Sequence, residues 1–101
     1  MNKNASNQAD QIIGLRVADA RLMHDYLQIE FQNGTTLSVF NRHKMQSHKS
    51  CGAHSFIGTT LLAHYVSQDV ASFEFSGEIS LSVGMMDSDY LGPEAMTLTD
   101  R

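Results

Sequence analysis

Four side chains with metal-binding chemistry fall within one short segment: His43, His48, Cys51 and His54, spaced H-x4-H-x2-C-x2-H. Imidazole nitrogen and thiolate sulfur are good ligands for zinc or copper, and ligands this close in sequence can wrap one ion. The spacing is that of no standard zinc finger, and no second cysteine accompanies the first. Tetrahedral ligation by these four is therefore one expectation, and a surface loop with incidental histidines is the other. Cys51 also has a histidine three residues away on each side, His48 and His54, close enough in a turn to act as a base. No third group to orient such a base is identifiable, and an inert, partly buried thiol is the commoner role of a lone cysteine.

The remaining polar side chains point to turns rather than to chemistry. Asp87, Asp89 and Glu94 offer oxygen ligands, but not at the spacing of an EF-hand loop. Their segment reads instead as an anchored turn, with Gly92 bending, Pro93 setting its own backbone angle, and Tyr90 and Leu91 pinned to the core. His24 precedes Asp25 at a turn, and His64 reads as an outward-facing strand residue. Asp25 and Asp69 each stand one residue before a strand, where side-chain hydrogen bonds shape turns. The chain contains no phosphate-binding glycine loop, no serine-nucleophile elbow and no zinc-protease motif. No catalytic set is expected, and no cofactor apart from the zinc or copper of the histidine loop.

Composition bounds the partners. One hundred and one residues make a single domain, and 42% hydrophobic residues with 18% charged and one proline describe a folded globule. Seven Lys and Arg against eleven Asp and Glu give a net charge of −4, the wrong sign for backbone-directed nucleic-acid binding. No apolar run is long enough to span a membrane, and the polar Met1 to Gln11 segment does not read as a secretory leader. With one cysteine, a cytoplasmic location is expected. The charge is segregated. Arg42 to Ser55 holds Arg42, Lys44, Lys49 and three histidines without an acid, whereas the chain from Asp69 onward is acidic up to the final Arg101. Such segregation is most simply a difference in solvation between the linker and the second half; the sharper alternative is that the basic segment meets an acidic surface, its own or a partner's.

These segments are positioned by a repeat. Shifted by 44 positions, Ile13, Gly14, Asp25, Glu30, Phe31, Leu37, Ser38 and Val39 fall on Ile57, Gly58, Asp69, Glu74, Phe75, Leu81, Ser82 and Val83. Such self-similarity predicts a supersecondary unit that stacks on its own copy. Each copy reads as a three-stranded meander: Leu15 to Leu22, Tyr26 to Phe31 and a strand through Leu37 and Val39, then Thr59 to Val66, Val70 to Phe75 and Ile79 to Val83. Side-chain parity chooses the loops. A two-residue Asn33-Gly34 loop would set Glu30 opposite Leu37, whereas a three-residue loop sets Ile29 opposite Leu37 and all large apolar groups on one face. That loop requires Gly34 in the left-handed region. The same parity in the second copy sets Phe73 opposite Leu81. The expected fold is all-β: two repeated antiparallel meanders packed as a small sandwich or partly closed barrel. Ala95 to Leu98 would add a short extra strand, and one short helix could lie within 42–54. The division is a flexible N-terminus (1–11), repeat one (13–41), a basic histidine-rich linker (42–55), repeat two (57–84) and an acidic tail (85–101), residues 12–101 forming one domain.

A meander with a Phe-x-Asn-Gly turn followed by Tyr90-Leu91-Gly92-Pro93-Glu94-Ala95 resembles small uncharacterised bacterial β-domain proteins. The resemblance implies a compact β domain and carries no catalytic residue. The expected function is a non-enzymatic binding or accessory protein acting by protein–protein contact, as a homodimer. Immunity proteins that neutralise toxins are one specialisation of that class. Tyr26, Phe40, Leu62, Val66 and Val70 are the expected interface, since they fall on strand faces opposite the core and one small domain cannot cover both faces. A metal-binding protein using the histidine loop, and a small-ligand carrier with a pocket between the meanders, are the alternatives.

Overall fold

Alternating apolar residues set the strands, and the strands recur with the sequence period. A computed structural model describes residues 9–24, 26–47, 52–92 and 94–99. It contains strands β1 (Val17–Leu22), β2 (Leu27–Phe31), β3 (Thr36–Val39), β4 (His43–Gln46), β5 (Leu61–Val66), β6 (Val70–Phe75), β7 (Ile79–Gly84) and β8 (Met96–Thr99). Short 3₁₀ turns cover Ala9–Ile12, Ala53–Phe56 and Asp87–Asp89. Among the described residues no helix is long and apolar enough to cross a membrane. The Ala9–Ile12 turn and β1 reappear 44 residues later as Ala53–Phe56 and β5, with the same bounds.

The strands form two four-stranded antiparallel sheets, ordered β1-β2-β3-β8 and β4-β7-β6-β5, packed as a sandwich rather than a closed barrel. Each meander therefore gains a fourth strand, and that strand comes from the other half. β4 follows β3 in sequence but pairs with β7, with Met45 opposite Leu81. β8 follows β7 but pairs with β3, with Leu98 opposite Leu37. The segment expected to be a linker with a short helix thus contains an edge strand, and Ala53–Phe56 is a single 3₁₀ turn. A four-residue strand with one large apolar residue, Met45, is too short to announce itself by periodicity.

The two halves also meet directly. Arg16 bridges Thr60, its own equivalent 44 residues on. Around that bridge the hydrogen bonds come in reciprocal pairs: Gly14 N–H to Leu61 O (2.8 Å) with Gly58 N–H to Val17 O (2.9 Å), and Leu61 N–H to Leu15 O (3.0 Å) with Val17 N–H to Thr59 O (2.7 Å). A pseudo-two-fold axis passes between them. It relates buried residues in pairs: Ile12 and Phe56, Val17 and Leu61, Leu27 and Ala71, Ile29 and Phe73, Phe31 and Phe75, Leu37 and Leu81, Val39 and Val83. All belong to one cluster between the sheets. Phe56 meets Phe75 edge-on at 4.9 Å, an arrangement worth about 0.5–1.5 kcal/mol beyond area burial.

The hairpin registers are those that parity requires. Ile29 lies opposite Leu37, Leu27 opposite Val39 and Phe73 opposite Leu81. Gly34 has φ +92°. The second loop reaches the same register by a different backbone: Gly77 (φ +80°) and Glu78 (φ +61°) are both left-handed. Gly77 aligns with Asn33, so a glutamate occupies the left-handed position that Gly34 fills in the first copy.

Candidate functional site

Among the described residues the two sheets end in four edge strands, and one of them differs from the rest. An edge strand offers unpaired backbone groups, and natural sequences blunt it with charge, proline or brevity. β1 carries Asp19 and Arg21, ion-paired at 2.6 Å on the surface. β4 carries exposed Lys44. β8 is short, with Met96 buried and Leu98 packed against the core. β5 reads Leu61-Leu62-Ala63-His64-Tyr65-Val66 and holds no Lys, Arg, Asp or Glu. Three of its side chains are more than half exposed: Leu62 at 56%, Tyr65 at 59% and Val66 at 51%.

A β-bulge aims these side chains. Leu61 lies opposite Phe75 and Ala63 opposite Glu74, so Leu62 is an extra residue, just as Ala18 is between Val17 and Asp19 in β1. Past the bulge the parity is reversed relative to simple alternation. Ala63 and Tyr65 share the outer face with Glu74 and Ser72, whereas His64 and Val66 share the core face with Phe73 and Ala71. His64 is thus on the inner side, half-buried, with its ring 4.7 Å from that of Phe73, and not on the outer face expected of it. Val66 is likewise on the core side of its sheet, exposed because it ends the strand at the rim of the sandwich. Tyr65, which sequence alternation hides on the inner face, is the most exposed side chain of the strand. Half-buried Val70 lies diagonally across from it on the outer face. Leu62 borders an open depression of about 430 Å³ at the β6–β7 hairpin, lined also by Glu74, Phe75, Gly77, Glu78, Ile79 and Ser80.

The expected interface residues do not form one patch. Tyr26 and Phe40 stack on each other, ring centroids 5.2 Å apart, beside the β2–β3 pair of the first sheet. Leu62, Val66 and Val70 belong to the second sheet.

The expected metal ligands are only partly placed. His48 and Cys51 lie outside the described residues. His43 opens β4 and is half-buried, its Nδ1 3.1 Å from the Asn41 carbonyl oxygen. His54 is exposed in the Ala53–Phe56 turn, which packs on β1. β4 is the edge of its sheet opposite β5, and β1 is bridged at its start to the β5 side. His43 and His54 therefore lie toward opposite edges of the sandwich and are not brought together. Among the described residues no group of three or more His, Cys, Asp and Glu side chains could hold a metal ion.

The basic and acidic segments do meet within the chain, but through carbonyls. Arg42 N–H donates to Asp89 O at 2.9 Å, and Arg42 Nε approaches Ser88 O at 3.4 Å. These bonds hold the Asp87–Asp89 turn against the crossover into β4. The turn belongs to the β7–β8 connection, which is longer than the β3–β4 connection equivalent to it. It presents Met86 and Leu91 to solvent, with Tyr90 partly exposed. Tyr90 and Leu91 are not pinned to the core as the sequence suggests. Ala95 O anchors the segment instead, accepting from Phe40 N–H (2.8 Å) and Asn41 N–H (3.0 Å). Pro93 and Asp25 lie outside the described residues. At Asp69 the turn is made by Ser67, whose Oγ accepts from the Val70 N–H at 3.2 Å.

Compared with protein-family models, curated proteins and solved structures, the chain matches none. The edge of β5 and the exposed connection carry the functional argument by themselves.

Proposed function

We propose that this protein is a non-enzymatic accessory protein that works by protein–protein contact, and that it works as a homodimer. The observation that supports this most is the contrast between two equivalent edges. β1 and β5 share length, bulge and position about the pseudo-two-fold axis, yet β1 bears an ion pair and β5 bears Leu62, Ala63, Tyr65 and Val66. An uncharged apolar edge is a liability to an isolated monomer and an asset to a protein that adds a strand from a partner. The outer faces of the sheets are a poorer surface for this, since Ser72, Ser80, Ser82 and Lys44 dominate one and Gln28, Glu30, Thr36 and Thr97 the other.

Sedimentation equilibrium tests the reading. The expected species at tens of micromolar has twice the 11.2 kDa mass of the chain, and Tyr65→Lys restores the single-chain mass. A wild-type chain that stays at 11.2 kDa across that range would refute the homodimer.

A further inference from the structure

We infer that the β7–β8 connection is a docking surface for a second protein, one that presents basic side chains interleaved with apolar ones. This rests on the reading of an accessory protein that works by contact, but not on the edge through which copies pair.

Register identifies the connection as an insertion. His43 lies opposite Val83 and Met45 opposite Leu81, just as Met96 lies opposite Val39 and Leu98 opposite Leu37. β4 and β8 are therefore equivalent strands about the pseudo-two-fold axis. His43 and Met96 are 53 positions apart, whereas Val39 and Val83 are 44 apart, so the second copy carries nine extra residues. The first copy makes the same crossing with Phe40, Asn41 and Arg42 alone. Crossing from sheet to sheet does not require the insertion, and such loops are where binding residues concentrate.

The fold holds this loop as a closed unit. Asn41, almost fully buried, donates its N–H to Ala95 O at 3.0 Å and its Nδ2–H to Gly84 O at 2.6 Å. Both ends of the connection thus rest on one residue. Within it, the Asp89 carboxylate accepts from Met86 N–H, and Asp89 O accepts from Arg42 N–H. Compact loops with tied ends present their side chains on a set backbone and are frequently functional. This one presents Met86, 54% exposed, Leu91, 57% exposed, and Tyr90, 37% exposed. Methionine adapts to varied partners, and tyrosine is enriched among the residues that carry binding energy.

Charge selects the partner. Asp87 and Glu94 are exposed in the same connection, and the whole chain carries a net charge of −4. Such a surface repels phosphate and attracts basic side chains. A second copy is a poor occupant, because its basic segment arrives with its own acidic loop attached. Arg42 donates its N–H to Asp89 O, and its Nε approaches Ser88 O. A different protein, with Lys or Arg around an apolar stretch, meets both features of the loop.

Peptide selection on the full chain tests this. From a random dodecapeptide library displayed on phage, the expected consensus interleaves Lys or Arg with large apolar residues. Synthetic peptides of that consensus should bind more weakly as salt rises. Combining Met86→Ser with Leu91→Ser should weaken them at least about tenfold. Both side chains are exposed, so this double variant should keep the stability and dimer mass of the wild type. Deleting 86–94 joins Met85 to Ala95 and leaves three residues between Val83 and Met96, as in the first copy. The shortened chain should fold, keep the dimer and bind none of the peptides; the double variant decides the question even where it fails to fold. Absence of a basic–apolar consensus, or peptides that bind the double variant as well as the wild type, overturns the inference. A double variant that loses the dimer puts the loop between copies and overturns it too. A wild-type chain that is monomeric, yet binds the peptides through the loop, refutes the homodimer and leaves this inference standing.

Discussion

Gly84 and Asp89 form a contact whose energetic coupling can be worked out in advance. Gly84 ends β7 outside the left-handed backbone region, so its lack of a side chain matters for space alone. A Cβ built there would be driven into the Asp89 carboxyl group. That carboxylate accepts from Met86 N–H at 3.1 Å and so closes the Asp87–Asp89 turn. Gly84→Ala should displace it, losing a hydrogen bond with a net value of about 1 kcal/mol and adding overpacking strain of about 1–3 kcal/mol. Restricting the unfolded chain returns about 0.4–1 kcal/mol. The net loss is about 1–3.5 kcal/mol. Asp89→Ala alone should lose about 1 kcal/mol, the hydrogen bond without the strain. In the double variant the new Cβ enters space the carboxylate has vacated, so its stability should equal or exceed that of Asp89→Ala. The two sites are then coupled by at least about 1 kcal/mol, above the additivity error of about 0.5 kcal/mol. Urea denaturation followed by far-ultraviolet circular dichroism is the assay, since the chain has no tryptophan. The single Gly84→Ala change should move the midpoint by about 1 M at ordinary denaturant sensitivity. Losses that simply add in the double variant would show that the carboxylate does not rest on Gly84.

The loop between β6 and β7 offers a second test. Glu78 holds φ +61°, a region that costs a non-glycine residue about 1–2 kcal/mol, so Glu78→Gly should be more stable than Glu78→Ala by about 0.5–1 kcal/mol after the added freedom of the unfolded chain is subtracted, since both variants lose the carboxylate and only alanine keeps the strain. A urea midpoint no higher for the glycine variant than for the alanine variant would argue against stored strain there. The exchanged fourth strands make a prediction about cleavage. Because β4 pairs with β7 and β8 with β3, fragments 1–50 and 51–101 should each be unfolded alone and should fold on mixing. Dispersed amide resonances from either fragment alone, with no change on mixing, would show that a half is self-sufficient.

The 44-residue repeat, together with side-chain parity, was enough to establish the all-β class, the two meanders, their hairpin registers and the left-handed Gly34. Those features are local. A hairpin register depends on which neighbours share a face, and a one-residue slip would put Glu30 among the core residues. Tertiary structure alone decided the rest. β4 is recognisable only beside β7, because four residues with one large apolar side chain carry no period of their own. Whether the meanders close as sandwich or barrel depended on the Arg16–Thr60 bridge and the crossing of β4 and β8, contacts between residues far apart in sequence. The bulge at Leu62 reversed the facing of His64, Tyr65 and Val66, so the candidate edge could be read only in part from its residues. A bulge arises from how one strand fits its neighbour, and the sequence of β5 by itself holds no sign of it.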